Sequence, residues 1–140
     1  MAQTFNITIE GYWRDVKKRS LPIHTGIFFV YECLYNSQLD TVTLIRIIYI
    51  GGATKSINDR VNEHQLFTVW KKVVREGNEI CYSSARIEPQ LITQIKAAFI
   101  FFLKPPLNDE FKNSFSFTKT TILCSGKTGL VNPNFTVGTE

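Results

Sequence analysis

The sequence holds only three cysteines, Cys33, Cys81 and Cys124, odd in number, far apart and without a Cys-x-x-Cys pair. That spacing argues against a disulfide framework and against a zinc site, and a reduced, intracellular protein is the simplest reading. Long hydrophobic runs are missing as well. The most apolar stretch, Ala97 to Leu103, is far too short to span a bilayer, so no membrane association is expected. No N-terminal segment joins a basic region, an apolar run and a small-residue cleavage site, so secretion is not indicated and a cytoplasmic location is expected. Repeats, low-complexity stretches and linkers are absent, which points to a single domain over 1–140.

What is present is an ordinary globular composition. A length of 140 residues can bury one core, and 44% apolar with 20% charged residues excludes a disordered or fibrous chain. Eleven phenylalanines make a bulky core the expectation. A net charge of +4 and a pI near 9.0 permit a polyanionic partner without requiring one.

Along the chain, Phe5 to Ile9 alternates briefly and is followed by the basic run Arg14, Lys17, Lys18 and Arg19. Gly26 to Tyr35 and Thr41 to Ile50 are rich in aromatic and β-branched residues, with turn-like residues 36–40 between them, and predict an antiparallel hairpin. Ser56 with Asp59 approximates a capping box. Ile57, Val61, His64 and Phe67, then Trp70, Val73 and Val74, continue at helical spacing toward a stop at Gly77, so one helix is expected. Ile80 to Ile87 reads as a third strand, and Pro89 opens a second helix running to about Leu103 before Pro105-Pro106. Strand-like pieces follow at 120–123 and 135–137. The expected class is therefore α/β (α+β): a small three-stranded antiparallel sheet core flanked by helices, with a C-terminal strand-like extension. The core covers about 24–108, between an N-terminal basic segment 1–23 and the extension 109–140.

A hairpin whose first strand opens Gly26-Ile27-Phe28 and whose second ends Tyr49-Ile50-Gly51 resembles the GIY-YIG nuclease superfamily. Gly52-Ala53 leads on to a helix carrying Arg60 at the family's usual distance. On such a helix His64, four residues on, would share a face with Arg60. Lys104-Pro105-Pro106-Leu107-Asn108 resembles the family's terminal Lys-Pro-x-x-Asn element. The resemblance implies Mg²⁺- or Mn²⁺-dependent hydrolysis of a DNA phosphodiester. In the family, the first-motif Tyr helps to activate water and the second Tyr supports it. A helix Arg holds the phosphate, and a Glu on the last helix binds the metal. The parts list makes physical sense, because a pentacoordinate phosphate needs charge neutralisation and a base aimed at the water.

The sequence departs from that pattern twice. The first-motif Tyr position is Phe28, which has no hydroxyl, and Tyr31, three residues on, falls on the opposite face of the strand. For the Glu, two registers compete. Read forward, Glu88 before Pro89-Gln90-Leu91-Ile92 fits; read back from Asn108, the position is Lys96. The two lie about 12 Å apart along a helix, so one cannot stand in for the other. The Lys96 register needs no gap and is preferred. Lys96 also interrupts an apolar stripe of Ile92, Phe99, Ile100 and Leu103, where it either covers apolar surface with its stem or offers its charge to a phosphate.

The candidate site residues are therefore Tyr49, Arg60, His64 and Asn108, with Phe28 and Lys96 at degenerate positions. Glu88 would be the metal ligand only in an active enzyme. Arg14, Lys17, Lys18, Arg19, Lys71, Lys72 and Arg75 are candidate DNA-backbone contacts. Ser125-Gly126-Lys127-Thr128 resembles the end of a phosphate loop, but Thr121 stands where its first Gly belongs, and it reads as a turn. The leading expectation is a nuclease-fold protein that binds DNA with cleavage weakened or lost. The alternatives are an active Mg²⁺-dependent endonuclease, restriction-like or mobile-element-like, and an immunity or anti-defence factor that binds protein on a dead nuclease fold. Whether it forms homo-oligomers is left open.

Overall fold

A computed structural model describes residues 2–138. The chain runs β1 (Gln3–Arg14), a 3₁₀ turn (Asp15–Ser20), β2 (Gly26–Asn36), β3 (Thr41–Ala53), α1 (Ile57–Asn62), α2 (Phe67–Val73) and β4 (Glu79–Arg86). A 3₁₀ turn (Pro89–Leu91) then leads into α3 (Ile92–Leu103), and β5 (Thr120–Gly126) and β6 (Asn134–Val137) close the fold. All six strands form one sheet in the order β3-β2-β4-β1-β5-β6. Only β1 and β5 pair in parallel.

The architecture is α+β, as expected, but a three-stranded core is not what forms. β3, β2 and β4 make one side of a six-stranded sheet, and the N- and C-terminal segments complete it. The reason lies in β1. Its Ile7 and Ile9 are buried, whereas Asn6, Thr8 and Glu10 are exposed, a period-2 pattern that makes it a half-buried strand. Ile122 of β5 and Phe135 and Val137 of β6 extend the same buried face.

Helices cover the β2 side of the sheet on both faces. On one, α3 packs Ile95 and Phe99 against Ile27, Phe29 and Ile50. On the other, α1 and α2 pack Ile57, Val61 and Trp70 against Phe28, Val30 and Ile48. Burial on both faces explains why β2 reads as a nearly continuous apolar run. Gly26 to Cys33 are all buried. Among the described residues, no helix is long and apolar enough to cross a membrane.

The expected single helix after Ser56 is two. The Ser56 hydroxyl accepts from the Asp59 N–H at 3.2 Å and starts α1 as anticipated. The helix then stops at Asn62, and His64 Nδ1 accepts the Leu66 N–H at 3.1 Å. That local side-chain bond offers the backbone an alternative to the helical ladder, and no Gly or Pro announces it.

One charged side chain is wholly buried within the sheet. Glu32 on β2 accepts from Arg46 Nε (2.8 Å), the Arg75 backbone N–H (3.0 Å), Arg75 Nε (3.2 Å) and Asn78 Nδ2 (2.6 Å). It thereby ties β3 and the α2–β4 connection to β2. Burial by itself would push the carboxyl pKa up, but the bonds from Asn78, Arg46 and Arg75 outweigh it and hold it at about 2. Removing a buried charge from its partners costs several kcal/mol, so Glu32→Ala should lower the unfolding free energy by about 3 kcal/mol in urea at pH 7. The folded carboxyl titrates below the unfolded one. The wild-type advantage is therefore complete above about pH 4.5 and disappears as pH falls toward 2, and the gap between wild type and variant should close across that window.

Candidate functional site

Two adjacent residues of β3 are aimed to the same face by an irregularity in its pairing with β2. Val30 pairs with Tyr49 but Tyr31 pairs with Ile47, leaving Ile48 as an extra residue, a β-bulge. Ile47 and Ile50 face α3, while Ile48 and Tyr49 both face α1 and α2. Tyr49 thereby joins Phe28, whose ring centroid lies 6.3 Å away. His64 stands edge-on to both, at 5.3 Å from Tyr49 and 5.9 Å from Phe28, and Trp70 closes the group 4.6 Å from His64. Tyr31 lies on the opposite face, its hydroxyl 2.7 Å from Ser83 Oγ.

The two glycines after Ile50 are each required by a neighbour. A Cβ at Gly51 would collide with the Phe28 ring, and one at Gly52 would sit 2.7 Å from Ile92 Cγ2 and 3.5 Å from Lys96 Cδ. Lys96 thus reaches from α3 across the edge strand, its Nζ 4.0 Å from that Cβ position. It makes no ion pair among the described residues. Asn108 holds the same edge, because its side chain accepts from the Ile50 N–H and donates to the Ile50 carbonyl, both at 2.9 Å. It braces the backbone between Tyr49 and Gly51 and, being buried, does not present its amide to a ligand.

A cleft of about 580 Å³ opens beside this edge, lined by Gly52, Ala53, Thr54, Lys55, Ser56, Asp59, Arg60 and Glu63. Arg60 is exposed in it. His64, past the end of α1, does not share a helix face with Arg60 as the spacing suggested, yet it feels the Arg60 charge. Burial first, and Arg60 second, push its pKa down to about 4, so it is a neutral ring. Burial pushes the Tyr49 phenol up; Arg60 pulls it back, and Glu110 and Asp109 add to the rise. Tyr49 is therefore a protonated phenol at neutral pH, a hydrogen-bonding group rather than a ready base.

Three buried polar atoms lack a hydrogen-bond partner among the described residues: His64 Nε2, Trp70 Nε1 and Ser84 Oγ. All three residues border Phe28, since Ser84 is its cross-strand partner and the other two pack their rings against it. Sequence reading placed Trp70 only on an apolar helix face and overlooked Ser84. Neither their spacing nor their chemistry marks them until the fold brings them to Phe28.

Glu88 is elsewhere. It is exposed, accepts from Gln90 Nε2 at 2.8 Å and lines a different cleft with Asn6, Glu10 and Arg86. Among the described residues, no three His, Cys, Asp or Glu side chains gather as metal ligands. Lysine at position 96 supplies no oxygen donor, and the carboxylates that line the cleft are Asp59 and Glu63.

Of the basic candidates, Lys18 and Lys71 meet at Phe67. Lys18 Nζ lies 3.8 Å and Lys71 Nζ 5.6 Å from its ring centroid, so the 3₁₀ turn and α2 form one surface. Three of its charges have acidic partners: Arg14 with Glu79 at 2.9 Å, Lys18 with Asp15 at 3.5 Å and Arg75 with Glu32. Lys17, Arg19, Lys71 and Lys72 have none among the described residues. Comparisons with protein-family models, with curated proteins and with solved structures found no match.

Because the unfolded histidine takes up a proton first, the buried neutral ring makes the fold lose stability as pH falls from about 6.5 to about 4. NMR titration of the imidazole protons should give His64 a midpoint near 4. Arg60→Ala should raise that midpoint without restoring the free value, since burial remains. A wild-type midpoint near 6.5 contradicts this placement.

Proposed function

We propose that the chain is a GIY-YIG nuclease-like protein that binds DNA, with phosphodiester hydrolysis weakened or lost. The observation that carries this reading is the pair of substitutions facing the Tyr49-Ile50-Gly51-Gly52 segment from its two sides. Phe28, without a hydroxyl, lies on Gly51, and Lys96, without a carboxylate, lies on Gly52. The three partnerless polar atoms bordering Phe28 fit a position built around a phenol. Glu88, the carboxylate an active enzyme would need, lines another cleft.

Binding falls to the cations that remain. Arg60 and Lys55 line the cleft, Lys96 approaches it over Gly52, and Lys71 extends the positive surface beside Phe67. Asp59 and Glu63 on the cleft wall limit how many phosphates it accepts. The guanidinium of Arg60 is the natural phosphate contact, because it donates in a planar fork and carries no acidic partner among the described residues.

Wild type should show no Mg²⁺- or Mn²⁺-stimulated nicking of plasmid but should shift duplex DNA with a salt-dependent affinity. Arg60→Ala should weaken that affinity about tenfold and make the salt slope shallower by about 0.9, the loss of one phosphate contact. Phe28→Tyr with Lys96→Glu should create metal-dependent cleavage. Phe28→Tyr alone should not pay the 1–3 kcal/mol ordinarily lost when a hydroxyl is buried, since partners surround it. Wild-type cleavage that disappears on Arg60→Ala would refute lost catalysis. Absence of any DNA binding would transfer the case to a protein-binding role.

A further inference from the structure

A second cleft of about 580 Å³ lies at the other end of β3, lined by Tyr12, Trp13, Arg14, Lys17, Tyr35 and Lys127 among others. Val42 borders it and Gly52 borders the first, so the two are on the order of 30 Å apart along the strand at about 3.3 Å per residue. Four separate segments build it: the end of β1, the following 3₁₀ turn, the β2–β3 hairpin and the turn after β5. Lys127 enters from the Ser125–Thr128 turn. Its backbone N–H donates to the Ile9 carbonyl at 2.7 Å, and its carbonyl accepts from Tyr12 Oη at 3.3 Å, while its side chain is exposed.

The aromatic part of this cleft is fixed in advance. The Arg14 guanidinium lies over the Tyr35 ring, its Cζ 3.4 Å from the centroid, and is gripped by both Glu79 oxygens at 2.9 and 3.1 Å. Tyr35 is held in turn by its hydroxyl on Asp40 Oδ1 at 2.8 Å. The charge of Arg14 is therefore already answered, and what it offers the cleft is a rigid planar surface beside the Trp13 indole. Lys17 and Lys127, by contrast, are exposed and have no acidic partner among the described residues.

We propose that this cleft binds single-stranded nucleic acid. Unpaired bases stack on the Arg14–Tyr35 and Trp13 surfaces, and the backbone phosphates meet Lys17 and Lys127. Flat, preorganised faces suit an unpaired base, because the faces of a paired base are covered by its neighbours. A phosphopeptide fits worse, since the one arginine that could grip a phosphate in two places is committed to Glu79. The site does not depend on the nuclease reading, which concerns the Arg60 cleft and duplex DNA.

The test titrates the full chain with a short oligothymidylate and follows tryptophan fluorescence. Trp70 is fully buried in the aromatic group around Phe28, so a saturable quench should report Trp13 and vanish in Trp13→Phe. The exposed double variant Lys17→Glu, Lys127→Glu should lose at least tenfold more affinity for the oligothymidylate than for a duplex of equal length. Its salt slope for single strands should be shallower by about 1.4, two contacts at about 0.7 each. Arg60→Ala should weaken the duplex and leave the oligothymidylate unchanged. The proposal is overturned if no quench occurs, if the double variant loses both ligands equally, or if Arg60→Ala abolishes both.

Discussion

The pairing of β2 with β3 is the constraint on which the rest of the molecule depends. β2 is covered on both faces, so every residue from Gly26 to Cys33 must satisfy either the α3 side or the α1–α2 side. Strict alternation assigns Phe29 and Tyr31 to one and Phe28 and Val30 to the other. Glu32 obeys the same alternation, and its position is tolerable only because Arg46, Arg75 and Asn78 close around it. β3 departs from the rule twice along this stretch, at Ile48 and at Ile45, and the bulge at Ile48 supplies Tyr49 to the aromatic group. Asn108 then seals the outer edge two residues later, where an open strand would otherwise expose the Ile50 amide and carbonyl.

The electrostatics of that region keep both His64 and Tyr49 uncharged at neutral pH. His64 is neutral because it is buried and because Arg60 is near, and Tyr49 keeps its proton for want of solvent. Neither is poised near neutral pH, where a general base is most effective. The groups that remain charged are cations at the cleft and the two acids of α1's face and end, Asp59 and Glu63.

Much of this was legible in the sequence where the signal is local. The hairpin, the third strand, α3 and its stop before Pro105 follow from periodicity and from residues with strong backbone preferences, and Lys104 duly ends α3 in the left-handed region with φ 49°. Lys96 stood out because it broke an apolar stripe. What could not be read was non-local or individual. β1 finds β5 across more than a hundred residues, and their short alternating pieces look alike whether they pair or not. The break at His64 rests on one side-chain hydrogen bond to the Leu66 N–H, which no spacing rule anticipates. Ser84 became part of the Phe28 surroundings only through strand register.

The distribution of charge was the least legible property, because a sequence shows which residues are basic and hides which are already paired. Arg14 and Arg75 belong to the basic runs, yet Glu79 and the buried Glu32 consume their charge. Arg46, in a strand and outside any run, shares that same Glu32 with Arg75, so one positive charge stays unbalanced there. Positive charge without an acidic partner among the described residues therefore lies in several places: Arg60 and Lys55 at one end of β3, Lys71 beside Phe67, Lys17 and Arg19 on the neighbouring 3₁₀ turn, and Lys127 on the turn after β5. Screening in physiological salt acts over about 8 Å, so Lys127, on the turn after β5, and Arg60, on α1, act separately, whereas Lys17 sits on a turn that packs against α1 through Asn58 and Asn62 and meets α2 at Phe67. What distinguishes the two ends of β3 is the chemistry alongside: a braced backbone edge at Ile50 and Asn108, and aromatic side chains at Trp13 and Tyr35.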